Sequence, residues 1–356
     1  MRQEIKQVLS LFVAVAGVAL AGDVSALSQR TFVASTGIDT NACSITAPCR
    51  TFGAAITKTN PGGEVIVLDS AGYGPVTIGK SISLIAPAGI YAGVTVSSGD
   101  GITVDAPGVI VVLRGLSING QGGDNGILVL HAARLRIENC VISGMADAGI
   151  RHRADGAELI VLDTIVRDNG GSGVFILASA SIVLDHVRSE HNLFDGFYML
   201  SLANEVMATI TDSLFAFNGR DGVSVDTGLP TSIPRVLVDQ SVLADNTRNG
   251  FLLNGASTQS SGIVTRNAIH RNGGDGVSVL SSAFPGTVVT VSENTFNGNH
   301  TGIRSDGIGA SVYAGTNKLV FSDLAFVQDN GATFFSYLNN LGVGQTVGAI
   351  QIETGR

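Results

Sequence analysis

Residues 192–200 read Asn192-Leu193-Phe194-Asp195-Gly196-Phe197-Tyr198-Met199-Leu200 and carry a pattern that the chain repeats. The pattern is a glycine followed by a branched or aromatic residue, and it returns after every 23 to 28 residues. Its glycines are Gly101, Gly126, Gly149, Gly173, Gly196, Gly222, Gly250, Gly276 and Gly302. Such persistence predicts a solenoid, in which one structural unit is copied along an axis and each copy buries its apolar face against the next.

Each repeat predicts three short strands. After the glycine, apolar residues alternate with variable ones, as in Val174-Phe175-Ile176-Leu177, which indicates a half-buried strand. A second apolar run ends in Asn or Asp, and a third run leads into a turn that contains Asn shortly before the next glycine. Asn, Asp and Gly suit tight corners, and stacked Asn side chains can form amide ladders between coils. Helical periodicity is missing, so the sequence predicts an all-β parallel β-helix of about nine or more coils.

The ends of the chain depart from this pattern. Residues 1–26 combine Arg2 and Lys6 with an apolar run and small residues, which is typical of a secretory signal peptide. We expect an N-terminal cap at 27–63, with a short helix from Thr51 to Ile56 that closes the first coil, and the β-helix at 64–312. Residues 313–356 break the glycine repeat, so we expect a C-terminal cap there.

The composition limits the classes of partner that the protein is expected to bind. The 356 residues carry a formal net charge of -8, and no lysine occurs between Lys80 and Lys318, which argues against nucleic acid as a partner. The apolar run of the leader is short, and no later segment offers about 18 uninterrupted apolar residues, so we expect a protein that is not embedded in a membrane. The leader predicts a secreted, periplasmic or cell-surface protein. The sequence does not predict the oligomeric state.

Export makes the cysteines informative. Cys43 and Cys49 lie six positions apart in a loop-like stretch, and a disulfide between them is the favoured interpretation. Free thiols and a metal site are the alternatives, but no histidine lies nearby to complete a ligand set. Cys140 lies alone in an apolar segment, which favours a buried structural thiol.

The chain resembles the right-handed parallel β-helix proteins of the pectin-lyase-like superfamily, in particular exported bacterial proteins with parallel β-helix repeats. The resemblance spans residues 30–317 and rests on Thr31-Phe32-Val33, the Cys43 to Cys49 loop that continues into Arg50-Thr51-Phe52, Gly62-Gly63-Glu64 and the Asn-x-x-x-Gly repeats. It implies a right-handed coil. The superfamily includes lyases, hydrolases, epimerases and adhesins. The Asp-Asp and Gly-His-Gly, Arg-x-Pro-x-x-Arg and Tyr-Gly-x-Asp-Pro-His motifs of its enzymes are absent, so no catalytic residue carries over.

Outward side chains one repeat apart are expected to stack into columns. One column contains Leu128, Arg151, Phe175, Tyr198, Ser224, Leu252, Ser278 and Arg304, and its companion contains Leu130, Arg153, Leu177, Leu200, Asp226, Asn254, Leu280 and Asp306. Phe175 and Tyr198 would form a platform for sugar rings, Arg151 and Arg153 would bind uronate or sulfate groups, and Asp226 would lie beyond the aromatic pair. Alternatively, Phe334, Phe335 and Tyr337 of the C-terminal segment would cover this patch.

Asp195 and Asp221 precede two successive repeat glycines. On adjacent coils they would lie about 5 Å apart, which suits a pair of catalytic carboxylates or a Ca²⁺ site. Ordinary turn chemistry explains an Asp-Gly pair equally well, and no calcium-binding motif is present, so no cofactor or metal is predicted. The histidines show no zinc-ligand spacing, and His152 is expected to be a hydrogen-bonded core residue.

Three functions remain open from the sequence. The leading hypothesis is an exported protein that binds polysaccharide along the Arg151, Arg153, Phe175 and Tyr198 face. The second is a polysaccharide lyase or glycosidase, with Asp195 and Asp221 as its carboxylates and Arg151 as a candidate lyase base. The third is a structural or adhesive rod.

Overall fold

The computed structural model describes residues 27–202, 205–255, 259–282, 284, 286–337, 339–342 and 344–353. The predicted signal peptide, residues 1–26, lies outside this range. Within it the chain forms three parallel β-sheets of 14, 12 and 12 strands, and from strand Thr59–Val67 onward each sheet takes every third strand in order. We call the largest sheet A and the sheets that follow it in each coil B and C. The predicted β-helix with three strands per coil is confirmed.

The strands of each sheet pair in parallel along the whole stack. Sheet A consists of Ser28–Val33, Thr59–Val67, Ile82–Ile85, Ile110–Arg114, Arg134–Glu138, Ala157–Leu162, Ala180–Asp185, Glu205–Thr211, Ile233–Asp239, Ser261–Thr265, Thr287–Ser292, Ala310–Gly315, Thr333–Tyr337 and Gln351–Glu353. Sheet B consists of Ala71–Gly72, Ala92–Val96, Leu116–Gly120, Val141–Ser143, Ile165–Arg167, Arg188–Glu190, Leu214–Ala216, Val242–Ala244, Ala268–His270, Thr295–Asn297, Lys318–Val320 and Leu341–Gly342. Sheet C consists of Val76–Ile78, Ile102–Asp105, Ile127–His131, Ile150–His152, Val174–Ile176, Phe197–Ser201, Val223–Thr227, Phe251–Asn254, Asp275–Leu280, Thr301–Asp306, Leu324–Asp329 and Gln345–Val347.

The repeated glycines allow the coils to approach closely at the start of each sheet C strand. A Cβ atom on Gly196 would lie 2.7 Å from the carbonyl oxygen of Gly222, and a Cβ on Gly222 would lie 2.7 Å from that of Gly250. The backbone N–H of Phe197 donates to the Gly222 oxygen at 2.9 Å. The glycines therefore lie above one another along the axis, and a side chain there would separate the coils.

Two ladders of Asn side chains form hydrogen bonds between successive coils at the corners. In the first, each Asn side-chain N–H₂ donates to the Asn of the next coil at 2.8 to 3.1 Å. Its members are Asn169, Asn192, Asn218, Asn246, Asn272 and Asn299, as the sequence predicted. A second ladder, which the sequence analysis missed, joins Asn267, Asn294, Asn317 and Asn340. These buried amides are hydrogen-bonded to one another, so they add order between coils without leaving polar groups unpaired.

The N-terminal end is closed by the helix Phe52–Lys58. Thr51 caps it by accepting a hydrogen bond from the backbone N–H of Ala54 at 3.2 Å, and Phe52 and Ile56 are buried against the first coil. Cys43 and Cys49 form the predicted disulfide, with a Cα–Cα distance of 4.7 Å. Strand Ser28–Val33 also extends sheet A into the region that we expected to be cap alone.

The C-terminal segment differs from its prediction. Strands Ala310–Gly315 and Thr333–Tyr337 pair in sheet A, and the coil continues to Glu353, so the expected break at Tyr313 is not observed. Inward and outward side chains still alternate along these strands. Phe334 is buried in the core, and Phe335 stacks on Tyr313 on the outer face of sheet A. These aromatics therefore lie on a different sheet from Phe175 and Tyr198, and the prediction that they cover that pair is wrong.

Candidate functional site

The outer face of sheet C presents the predicted column of side chains. Backbone pairing sets Arg151 opposite Phe175, Phe175 opposite Tyr198 and Tyr198 opposite Ser224. The column continues through Leu252 as the sequence predicted. The stacking of these side chains follows from the parallel register, in which equivalent positions of successive coils face the same way.

An aromatic pair forms the centre of this column. The rings of Phe175 and Tyr198 stack with centroids 5.1 Å apart and planes 26° apart. The guanidinium of Arg151 lies 4.9 Å from the Phe175 centroid and forms an ion pair with Asp147. Arg151 therefore already has two partners, because cation–π contact and charge pairing both hold its side chain against the sheet.

The remaining predicted ligands lie at the ends of the sheet C strands. Arg153 follows the strand that ends at His152, and its side chain is exposed. Asp226 lies in strand Val223–Thr227 beside Leu200 of the previous coil. The hydroxyl of Tyr198 hydrogen-bonds to the Asp226 carboxylate, and burial together with this carboxylate raises the pKa of Tyr198. Tyr198 thus links the aromatic pair to the charged groups beyond it.

Asp195 and Asp221 form a ladder along the turn before sheet C. The backbone N–H of Asp221 donates to Oδ1 of Asp195 at 3.1 Å, and the Asn249 amide groups donate to Oδ1 of Asp221 at 2.8 Å. The two carboxylates are only 3% and 1% exposed. The Oδ1 atom of each carboxylate therefore accepts the hydrogen bonds that join neighbouring turns. The Oδ2 atoms have weaker partners, and Ser172 Oγ lies 3.5 Å from Oδ2 of Asp195.

Burial changes the titration of both carboxylates. It raises the pKa of Asp195 to about 6, an effect that the Asp221 backbone N–H opposes and the Asp221 charge increases. Burial also raises the pKa of Asp221, against the hydrogen bonds from Asn249 and the charge of Arg248. Because the two groups interact, they titrate as a pair, and burial favours the neutral form of each.

These carboxylates line a cleft of about 190 Å³ at the edge of sheet C. Its lining residues are Asp195, Tyr198, Arg220, Asp221, Ser224, Asp226, Arg248, Leu252, Asn254 and Leu280. The structure thus brings Tyr198, Asp226 and the two ladder carboxylates to one place. Arg151 and Arg153 are not among the lining residues, so the structure does not bring the candidate lyase base Arg151 into this cleft.

Arg220 and Arg248 are the site residues that the sequence analysis missed. They occupy the position two residues before the repeat glycine, where Phe194 stands one coil earlier, and backbone hydrogen bonds join these three positions. The Arg220 guanidinium lies 4.2 Å from the Phe194 centroid, and Arg248 lies 3.9 Å from Oδ2 of Asp221. Alignment of this turn position would have revealed the column, because its members also recur with the period of the repeat.

His152 differs from its prediction. The side chain is buried in the core, as expected, but neither ring nitrogen has a hydrogen-bond partner. Burial lowers its pKa to about 4, so the imidazole is neutral in the native protein at neutral pH. In the described part of the chain, no three imidazole, thiolate or carboxylate groups come together in a way that could hold a metal ion.

A family model for the right-handed β-helix region matches residues 68–208, 100–258 and 190–323, which together span most of the chain. The chain is a right-handed β-helix protein. This β-helix protein matches no curated protein sequence. Across the residues that the structure describes, it has no helix with the length and apolar character needed to cross a membrane.

Solved structures share the fold. The A-module of the mannuronan C-5 epimerase AlgE4 from Azotobacter vinelandii is 19% identical, with a TM-score of 0.58 over 83% of this chain and 89% of that one. The pectate lyase Pel9A is 16% identical, with a TM-score of 0.54 over 93% of this chain and 80% of that one. The Dettilon tailspike protein is 14% identical, with a TM-score of 0.54 over 90% and 69% of the two chains. Identities this low establish similarity of fold alone.

Proposed function

We propose that this β-helix protein binds an acidic polysaccharide along the outer face of sheet C. The observation that carries the proposal is the continuity between the stacked Phe175–Tyr198 pair and the cleft that Tyr198 itself lines. An aromatic surface that leads into a charged cleft has the two kinds of contact that a uronic acid chain needs, one for ring faces and one for carboxylates.

The charged groups divide this task. Arg220 and Arg248 are exposed beside the cleft and can form bidentate hydrogen bonds with a carboxylate or sulfate. Arg153 is exposed at the other end of the aromatic pair. Arg151 holds Phe175 in place through its contact with the ring, so its contribution is to position the platform. The names of two structures with this fold specify mannuronan and pectate, which supports the choice of acidic glycans as ligands.

Affinity electrophoresis through gels that contain polygalacturonate, alginate or neutral dextran tests the proposal. We expect retardation in the two acidic gels, and loss of it in the double variant Tyr198→Ala with Arg151→Ala, because the platform loses both its second ring and its positioning cation. If the double variant migrates through the acidic gels just as wild type does, the result would support the alternative of a structural or adhesive rod. Absence of retardation for wild type in every acidic gel would refute the proposal.

A second candidate function is catalysis on the same glycan, as a lyase or glycosidase. The raised pKa values of Asp195 and Asp221 favour it, because a buried carboxyl that titrates near neutrality can donate a proton while its neighbour accepts one. Ultraviolet absorbance from unsaturated products would identify a lyase, and new reducing ends would identify a glycosidase. Asp195→Asn should remove either activity, whereas binding without product formation supports the binding function alone.

We also propose that the protein is exported. The leader pattern in residues 1–26 and the Cys43–Cys49 disulfide both suit an oxidising compartment outside the cytoplasm. N-terminal sequencing of the protein from the culture medium or periplasm should find cleavage after Ala21 or Ala26.

A further inference from the structure

A second cleft lies on the same face, closer to the C-terminus. Its volume is about 460 Å³, and its lining residues are Asn254, Leu280, Ser281, Ser282, Asp306, Gly307, Ile308 and Asn330. Asn254 and Leu280 also line the first cleft, so the two clefts are neighbouring compartments of one groove. Asn254, Leu280 and Asp306 belong to the companion column that the sequence predicted. The predicted glycan-binding residues Arg151, Arg153, Phe175 and Tyr198 do not line the second compartment.

The second compartment differs from the first in the charges that line it. Among the described residues that line it, Asp306 is the one with a charge, and Nδ2 of Asn330 donates to Oδ1 of Asp306 at 2.6 Å. The nearest arginine of the sheet C column, Arg304, forms ion pairs with Asp275 and Asp329. A carboxylate bound here would face Asp306 without a cation among the described lining residues, whereas the first compartment offers two arginines beside its three aspartates.

The walls suit a sugar that carries no charge. Ile308 is half exposed and Leu280 partly so, which provides an apolar surface for the C–H groups of a ring. The Asp306 carboxylate and the Asn330 amide are planar polar groups that can accept from and donate to ring hydroxyls. Glycine is needed at position 307 for this wall of the compartment. Its φ is +91°, and a Cβ there would lie 2.2 Å from the Ser281 carbonyl oxygen.

Resting on the proposed function, we propose that this second compartment binds an uncharged residue of the same polysaccharide chain whose acidic residue lies beside Arg220 and Arg248. The register runs from Tyr198 through Ser224, Leu252 and Ser278 to Arg304, next to Asp306. The coils of Arg220 and Arg248 lie three and two steps of about 4.8 Å before the coil of Asp306, which corresponds to about 14 and 10 Å along the axis. A pyranose residue is about as long as one coil step, so the two sites select a heteropolymer with acidic and neutral residues about two to three positions apart.

Calorimetry with galacturonate oligomers tests this selection. We expect wild type to bind a hexamer with about half of its carboxylates methyl-esterified roughly tenfold more tightly than the unesterified hexamer, because esterification removes repulsion by Asp306. Asp306→Asn retains the shape and the bond from Asn330 but removes the charge, so it should abolish the preference. Dimers, which are too short to reach Asp306 from Arg248, should bind wild type and this variant equally.

The matched control is Thr295→Ala, an exposed threonine on sheet B of the same coil, which should retain the wild-type preference. Thermal unfolding of each variant checks that its fold is intact. Hexamer binding by wild type with no preference, or an unchanged preference in Asp306→Asn, would overturn the second compartment while the proposed function stands. Failure of wild type to bind any galacturonate or mannuronate oligomer would overturn both.

Discussion

The backbone N–H of Asp221 donates a hydrogen bond of 3.1 Å to Oδ1 of Asp195 in the preceding coil. One carboxylate thus joins two coils and also lines the charged cleft beside Tyr198. The two roles are separable by substitution, because the side-chain oxygen of an asparagine can accept the same hydrogen bond but cannot titrate.

Asp195→Asn should change how stability depends on pH. The native pKa of about 6 exceeds the usual value of 3.8, so the folded protein binds this proton more tightly than the unfolded chain does. The Asp195 contribution to the free energy of unfolding is therefore fully present below about pH 4 and is lost as pH rises through 6, by about 3 kcal/mol in total. The variant should lose this decline in urea unfolding between pH 4 and 7. An unchanged decline would show that Asp195 does not cause it.

His152→Leu should have the opposite effect on the pH profile. The native pKa is about 4 and the usual value is 6.5, so the unfolded chain takes up this proton first as pH falls. The protein should lose up to about 3 kcal/mol from this residue between pH 6.5 and 4, and leucine should remove that loss. Leucine also removes two unpaired buried nitrogens, so the variant should be more stable than wild type even at pH 8. A variant less stable than wild type at pH 5 would contradict this account.

Gly222→Ala tests the close approach of the coils. The added Cβ would lie 2.7 Å from the Gly250 oxygen and 2.8 Å from Nδ2 of Asn246, so we expect a loss of about 3 kcal/mol in the free energy of unfolding. Gly79→Ala is the matched control, because a Cβ there meets no atom within 4 Å, and its effect should remain within about 0.5 kcal/mol. Equal losses in the two variants, measured by urea unfolding, would argue against glycine as a spacer between coils.

Most of the coil could be predicted because its residues repeat. The alternation after Gly173 and Gly196 shows which side chains face the core, and Asn192 and Asn218 mark the corner that an amide ladder satisfies. The C-terminal coil was missed because Ala325 replaces the repeat glycine where its carbonyl faces Gly302. The second Asn ladder, which reaches Asn340, carries the periodicity past this replacement.

The candidate site was predictable only in part. Parallel register places Phe175 beside Tyr198, so the aromatic pair follows from the repeat alone. Arg220 and Arg248 lie in a turn, where strand alternation does not determine the direction of a side chain. The pairing of Arg151 with Asp147 likewise depends on how a turn folds back over the sheet.

The most direct test of the central claim compares two stacked aromatic pairs in the same molecule. Phe175 and Tyr198 stack at 5.1 Å on sheet C, and Tyr313 and Phe335 stack at 4.9 Å on the outer face of sheet A. Calorimetric titration with polygalacturonate and alginate oligomers should show that alanine at both sheet C positions weakens binding at least tenfold, since each stacked ring contributes on the order of 1 kcal/mol. Alanine at both sheet A positions should leave binding unchanged. Equal binding by the two double variants, or greater loss from the sheet A pair, would contradict a glycan site on sheet C.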